Sequence, residues 1–174
     1  MVPEALSGRD GRRGARIPPH AENVARRAVG LEAAVVDNKM TRIDALDPDD
    51  PRSLEVRVAG PAALLVSKLH KLGERRNSPG RFLHKDAHDV YRLLVACPTR
   101  ELAHTLARLV NDDLATSVTV VAIEWLEELF ASSPEALGSQ MAGRAEIGVG
   151  TPATVAASVS LLAADLLTAL RDER

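Results

Sequence analysis

The sequence is poor in aromatic residues, which make up 2% of its 174 positions, and it contains one cysteine. Proteins that hold single-stranded nucleic acids commonly stack bases on aromatic rings, so we expect no such platform here. A lone cysteine, Cys97, excludes an internal disulfide and any zinc site built from several cysteines. Because Cys97 falls on an apolar helix face, we interpret it as buried filler rather than a nucleophile. The core must be built from Ala, Val and Leu, and an apolar content of 45% is sufficient for one.

The chain also has no large excess of positive or negative charge. The net charge of −2 gives no global attraction to nucleic acids or anionic membranes. Arginines are nevertheless concentrated near the start of the chain, at Arg9, Arg12, Arg13, Arg16, Arg26 and Arg27. This block has two interpretations, a solvated arm or a surface that faces phosphate or RNA.

The chain also has no segment that resembles a secretion signal. The apolar stretch at residues 153–170 contains Ser, Thr and Asp residues, which we judge too polar for a membrane-spanning helix. We therefore expect a cytoplasmic protein with no membrane partner.

Hydrophobic periodicity predicts an α+β fold, with a small antiparallel sheet followed by a mainly helical C-terminal half. We expect an Arg/Gly-rich arm at residues 1–19 and a short helix at residues 22–29 that ends at Gly30. Strands are predicted at residues 31–36, 40–46 and 54–58. The predicted helices that follow span residues 60–76, 84–96, 99–112, 118–130, 134–145 and 152–171.

Two consecutive helices, at residues 60–76 and 84–96, carry the charged residues of most interest. At about 100° per residue, Lys68 falls inside the apolar stripe of the first helix, and Arg75 points within about 20° of it. Asp86 lies on the apolar stripe of the second helix, and Asp89 lies at its edge. A lysine within an apolar stripe is costly unless it reaches water or meets an anion.

The same helical periodicity predicts which way the other side chains of these helices face. We expect an apolar stripe on each helix and an outward-facing polar side on the first. The first stripe consists of Leu64, Leu65, Leu69 and Leu72, the second of Val90, Leu93, Leu94 and Cys97, and the outward residues are His70, Lys71 and Glu74.

Three interpretations of the inward charges remain open at this point. The two cations and two carboxylates could form an ion-pair lock between adjacent helices, with Asp86 serving as a helix cap. They could instead share a phosphate-bearing ligand, with a carboxylate that orients Lys68 or a metal. His84 and His88, four residues apart, offer a weaker third interpretation as two ligands of one metal, although His88 faces away from the stripe and no third ligand is apparent.

The segments VAGPAALLVSKLHKLGERR and HKDAHDVYRLL resemble the later motifs of the AbiEii-like nucleotidyltransferase-fold proteins, the toxin family of abortive-infection systems. The family's Lys with an Arg seven positions later is matched by Lys68 and Arg75. Its Asp-x-x-Asp at the start of the next helix is matched by Asp86 and Asp89. The resemblance covers residues 54–96 and implies transfer of a nucleotidyl group from an NTP to RNA or protein.

In such a protein, Lys68 and Arg75 would bind the NTP phosphates, and Asp86 and Asp89 would be the catalytic residues. Mg²⁺ and an NTP would be the cofactors of an active form, and a cognate antitoxin would be a further partner. Residues 20–97 would then be a remnant of the nucleotidyltransferase-like domain, and residues 98–174 a helical C-terminal region.

The first motifs of that family, a Gly-Ser turn and a strand with Asp-x-Asp, have no counterpart before residue 31. Gly138-Ser139 lies in the wrong half, and the Asp47-Pro48-Asp49 segment lies in a loop after a strand. We therefore expect an N-terminally shortened, incomplete and inactive version, because two-metal chemistry needs both metal-binding carboxylates. The alternative is a non-catalytic module that binds nucleotides or another protein.

Overall fold

The structure, a computed structural model, describes residues 1–7, 14–15, 19, 25–77 and 84–173. It has the α+β fold that the sequence predicts, with helices dominant after residue 60. Residues 8–13 and 16–18 of the predicted Arg/Gly-rich arm, and the start of the helix predicted at residues 22–29, lie outside the described residues.

Two small sheets contain the strands. In the first sheet, β3 (Ala25–Ala28) lies between β1 (Val2–Pro3), which is parallel to it, and β2 (Gly14–Ala15), which is antiparallel. The second sheet is an antiparallel hairpin of β4 (Asn38–Asp44) and β5 (Ser53–Ala59). The hairpin agrees with the second and third predicted strands within a few residues.

Two predictions for residues 22–36 were wrong. The described part of the predicted helix is strand β3, because pairing with two distant strands outweighs the helix propensity of this short segment. The strand predicted at residues 31–36 is helix α1 (Glu32–Val36), since a short apolar run has no clear period. Glu32 holds this region together: Oε1 accepts from the Ala5 amide at 3.0 Å and Oε2 from the Gly30 amide at 2.8 Å.

The helices of the second half follow the predicted positions closely. Their bounds are α2 (Pro61–Gly73), α3 (His84–Ala96), α4 (Thr99–Val110), α5 (Thr116–Leu126), α6 (Leu137–Arg144) and α7 (Pro152–Asp172). A π-helical turn (Glu127–Ala131) continues α5. Proline in the first turn starts both α2 and α7, where a missing backbone N–H costs nothing.

One hydrophobic cluster runs from Ala33 in α1 to Leu170 in α7. It therefore crosses the boundary that we predicted between residues 97 and 98, and that division into a remnant and a helical region stays a prediction. Cys97 is only partly buried at the edge of the cluster. Burial, together with the charge of Glu101, raises the pKa of its thiol, which disfavours the nucleophilic thiolate.

Helix α7 is long and apolar enough to cross a membrane by length and composition alone, contrary to our expectation from its Ser, Thr and Asp residues. In this structure it packs against α3, α4, α6 and the π-helical turn. Its buried side is apolar apart from Ser160, as expected for the core helix of a globular domain.

Candidate functional site

The start of α2 is fixed by a residue that precedes the hairpin. Asp37 Oδ2 accepts from the Ala63 amide at 2.9 Å, and the Asp37 carbonyl accepts from the Gly60 amide at 2.8 Å. A Cβ at Gly60 would lie 2.1 Å from Asp37 Oδ1, so this close approach requires glycine. Asp37 thus satisfies an otherwise unpaired amide at the start of α2 and anchors the helix that carries Lys68.

Lys68 contacts both aspartates of α3. Its Nζ lies 2.6 Å from Asp89 Oδ2 and 3.5 Å from Asp86 Oδ1. Arg75, just after the end of α2, approaches Asp86 Oδ2 with Nη1 at 3.4 Å. The structure thus brings together the four residues that the sequence analysis selected, in the arrangement of the ion-pair lock.

Lys71 is a fifth member of the cluster, and we had placed it on the outer face of α2. Its Nζ donates to Asp86 Oδ1 at 2.7 Å, the shortest of the contacts with Asp86. A helical wheel gives the direction of the Cα–Cβ bond, whereas a lysine side chain is long enough to bend around the helix toward an anion. Lys68 lies three residues before Lys71, on the neighbouring turn of the helix, so both side chains reach the same carboxylate.

Asp86 is the buried centre of the cluster. Its side chain is 1% exposed, whereas those of Lys68, Lys71 and Arg75 are 27%, 37% and 24% exposed. It occupies the first turn of α3 rather than the cap position, and its oxygens contact cations of α2 and the turn that follows it. A buried carboxylate is stable only when paired in this way.

The ion pairs also change the proton affinities of two members. The hydrogen bond from Lys68 lowers the pKa of Asp89, and the charges of Lys68, Lys85 and Arg92 lower it further, against the opposing effect of burial. Burial by itself lowers the pKa of Lys68, but Asp89 and Asp86 together outweigh it, and the net pKa of Lys68 is raised. Both residues are therefore held in their charged forms at neutral pH.

The side of α2 that we expected to face outward is exposed at Glu74 but not at His70. His70 is buried: its Nε2 lies 2.7 Å from the Val118 carbonyl, and its ring packs edge-on against Trp125 at 4.8 Å between centroids. Helix α2 packs against α5 on this side and against α3 on the other, so a single apolar stripe does not describe it. Leu64, which we assigned to the stripe, is exposed.

The fold of the described residues adds no third ligand to the metal interpretation of His84 and His88. His84 is exposed, whereas His88 Nε2 lies 2.5 Å from Glu146 Oε1, which links α3 to the turn after α6. Among the described residues, no group of three or more His, Cys, Asp or Glu side chains is arranged to hold a metal.

Asp86 and Asp89 do not fit Mg²⁺ either. Both oxygens of Asp86, and Oδ2 of Asp89, already face ammonium or guanidinium groups. A divalent cation at these oxygens would be repelled by three positive charges. The cluster thus consists of three cations, Lys68, Lys71 and Arg75, around two carboxylates.

We compared the chain with protein-family models, curated proteins and solved structures, and none of them matches it. The resemblance to the AbiEii-like family, and the roles that it assigns to the four residues, therefore stay predictions.

Proposed function

We propose that this chain is a nucleotidyltransferase-like protein of the toxin type, in which Lys68, Lys71 and Arg75 form the phosphate-binding half of an NTP site. The observation that supports it best is the convergence of these three cations on one buried carboxylate, Asp86. Phosphoryl-type transfer depends mainly on positioning and on neutralising the phosphate oxygens, and fixed cations supply both.

The local charge supports an anionic ligand. Lys68, Lys71 and Arg75 outnumber Asp86 and Asp89, and the charges of Lys85 and Arg92 also act on Asp89. The three central cations are each partly exposed, so their free donors are accessible to phosphate oxygens. Arg75 meets Asp86 only at 3.4 Å, which leaves its planar fork available for a closer anion. In this proposal Asp86 orients the cations beneath the ligand and Asp89 holds Lys68.

We further propose that these 174 residues bind an NTP without transferring it. The sequence has no Asp-x-Asp strand before the hairpin, and the oxygens of Asp86 and Asp89 face cations. RNA or protein would be the acceptor only in an active form, whereas a cognate antitoxin as a partner and the cytoplasm as the location belong to the proposal for this chain. They follow from the resemblance of residues 54–96 to the toxin family.

A second candidate is a non-catalytic module in which the cluster only joins α2 to α3. It is favoured by the 2.6 Å contact of Lys68 with Asp89, which satisfies both charges within the chain. The two candidates differ in one respect, since only the first requires affinity for a triphosphate.

The experiment combines a transfer assay with a binding assay on the same protein. Wild-type protein, Lys68→Ala and Lys39→Ala are incubated with labelled NTP, Mg²⁺ and RNA, and their melting temperatures are measured with and without NTP. Lys39 lies on the exposed hairpin and controls for the loss of one positive charge. We expect no labelled product, and an NTP-dependent rise in melting temperature that Lys68→Ala abolishes and Lys39→Ala retains.

Two results would overturn this proposal in different ways. An unchanged melting temperature of the wild-type protein at saturating NTP leaves the helix-joining module as the function. A labelled product that requires Lys68 makes the chain an active transferase, and contradicts binding without turnover.

A further inference from the structure

The β4–β5 hairpin exposes apolar side chains on one face. Because directly opposed residues of an antiparallel pair share a face, Thr41 with Val56 and Ile43 with Leu54 lie on the same side, next to Val58. Leu54 is 62% exposed and Ile43 50% exposed. An isolated two-stranded hairpin is marginally stable in water, and unpaired strand edges attract further strands.

The free edge of β5 presents a defined set of backbone groups. The Ala45 amide donates to the Arg52 carbonyl at 3.1 Å, and the Gly60 amide donates to the Asp37 carbonyl at 2.8 Å. Hydrogen-bonding direction alternates along a strand, so Arg52, Leu54, Val56, Val58 and Gly60 face β4. The residues between them turn their amides and carbonyls to the other side. These are Ser53, Glu55, Arg57 and Ala59, and within the described ranges no strand pairs with them.

The side chains along β5 are self-complementary about Val56. Glu55 precedes Val56 and Arg57 follows it, while Leu54 and Val58 lie one position further out on the opposite face. We propose that β5 pairs in antiparallel fashion with β5 of a second copy of this chain, about a two-fold axis at Val56. Each Glu55 then lies opposite Arg57 of the other copy, and each Leu54 opposite the other Val58.

The backbone favours the same register. With the axis at Val56, Glu55 and Arg57 of the two copies form hydrogen-bonded pairs, and both already direct their amides and carbonyls outward. Moving the axis to residue 55 places two glutamates opposite each other, and moving it to residue 57 places two arginines opposite each other. Like charges in directly opposed positions destabilise a sheet. Moving the axis to a point midway between two residues would pair residues from different faces, which antiparallel pairing does not allow.

The charges of β5 are available for a partner. Glu55 has no hydrogen bond or ion pair elsewhere in the described part of the chain, and Arg57 contacts only the Asn38 side chain, at 2.9 Å. On the other edge, Arg42 of β4 is already paired with Asp44 at 2.7 Å. The edge of β5 is therefore better suited to a second copy than the edge of β4.

Dimerisation would give the free edge of β5 in each copy a hydrogen-bonded partner strand. Two hairpins joined at β5 form one four-stranded sheet, in which both β5 strands are central and their edges are satisfied. The apolar residues Ile43, Leu54, Val56 and Val58 of both copies then form one continuous face. Because the β4–β5 hairpin and the α2–α3 cluster are separate surfaces, this dimer does not depend on NTP binding.

Charge reversal tests the pairing between Glu55 and Arg57. Analytical ultracentrifugation measures the dimer dissociation constant for the wild-type protein, Glu55→Arg, Arg57→Glu, an equimolar mixture of these two variants, and the double variant. In a homodimer of either single variant, like charges lie opposite each other at two positions. We therefore expect association at least about tenfold weaker. The mixture and the double variant restore opposite charges and should dimerise as the wild-type protein does. Circular dichroism checks that each variant folds, because Glu55 also lies opposite Arg42 within the hairpin.

Cysteine cross-linking tests the position of the axis. In a Cys97→Ser background, Val56→Cys places two thiols opposite each other at the axis, and oxidation should yield a covalent dimer. Thr41→Cys is the matched control, since Thr41 lies opposite Val56 on β4 and shares its partial exposure. A chain that is monomeric at every concentration tested, a dimer that neither charge reversal weakens, or a cross-link through Thr41→Cys instead of Val56→Cys would each overturn the proposal.

Discussion

Lys71 donates from Nζ to Oδ1 of Asp86 over 2.7 Å, and through this contact the most exposed cation of the cluster binds its most buried carboxylate. Lys68 and Arg75 approach the same aspartate at 3.5 Å and 3.4 Å. Asp86 is thus the one carboxylate that all three cations share, while the closest partner of Lys68 is Asp89, at 2.6 Å.

Replacing Asp86 should therefore cost more stability than replacing Asp89. Asp86→Ala leaves Lys71 and Arg75 without their carboxylate partner and Lys68 with Asp89 alone. Because these cations are partly exposed and can turn to water, loss of their hydrogen bonds to Asp86 should cost about 1.5–3 kcal/mol. Asp89 is partly exposed, so Asp89→Asn should cost less than about 1 kcal/mol. Urea unfolding at neutral pH measures both, with the exposed Asp44→Asn as the control. Equal losses for Asp86→Ala and Asp89→Asn would show that Asp86 is not the centre of the cluster.

The Lys68–Asp89 pair should also make stability depend on pH. Lys68 lowers the pKa of Asp89, so the folded state binds the proton of this carboxyl less tightly than the unfolded state does. The resulting stabilisation is present above the unfolded pKa of about 3.9 and is lost as the pH falls through the lower folded pKa. The difference in unfolding free energy between the wild-type protein and Asp89→Asn should shrink as the pH is lowered from 6 toward 3, by an order of about 1 kcal/mol or less. A difference that is constant over this range would exclude the linkage.

Gly30 and Gly148 offer a matched test of the packing around His70. Their φ angles are +86° and +89°, so alanine is strained by a similar amount at both, about 1–2 kcal/mol. A Cβ at Gly30 would lie 2.7 Å from Cδ2 of His70, a ring that Val118 and Trp125 hold in place, whereas a Cβ at Gly148 meets nothing within 4 Å. Gly30→Ala should lower the free energy of unfolding by about 1–3 kcal/mol more than Gly148→Ala. If the two variants melt alike, His70 is free to move and is not a fixed part of the core.

The sequence predicted the helices of the second half and the meeting of Lys68 with Asp86 because both follow from local periodicity. The structure of residues 22–36 could not be predicted from local periodicity, since strand β3 exists only through pairing with distant segments. Likewise, Glu32 accepts a hydrogen bond from the Ala5 amide, far away in the sequence. His70 was misplaced because a helical wheel with a single buried side does not describe a helix that packs against both α3 and α5. Lys71 was misplaced because its long side chain reaches around the helix to Asp86.

The most direct test of the proposed function is the affinity for ATP, measured by isothermal titration calorimetry on the wild-type protein, Arg75→Ala and Arg76→Ala. Arg76 is the matched control because it lies in the same turn but faces Trp125, at 5.9 Å, and Glu128. If Arg75 binds phosphate oxygens, Arg75→Ala should weaken ATP binding by about 10- to 100-fold, while Arg76→Ala leaves it unchanged. Absence of ATP binding by the wild-type protein, or equal affinities in all three proteins, would contradict a phosphate site at the α2–α3 seam.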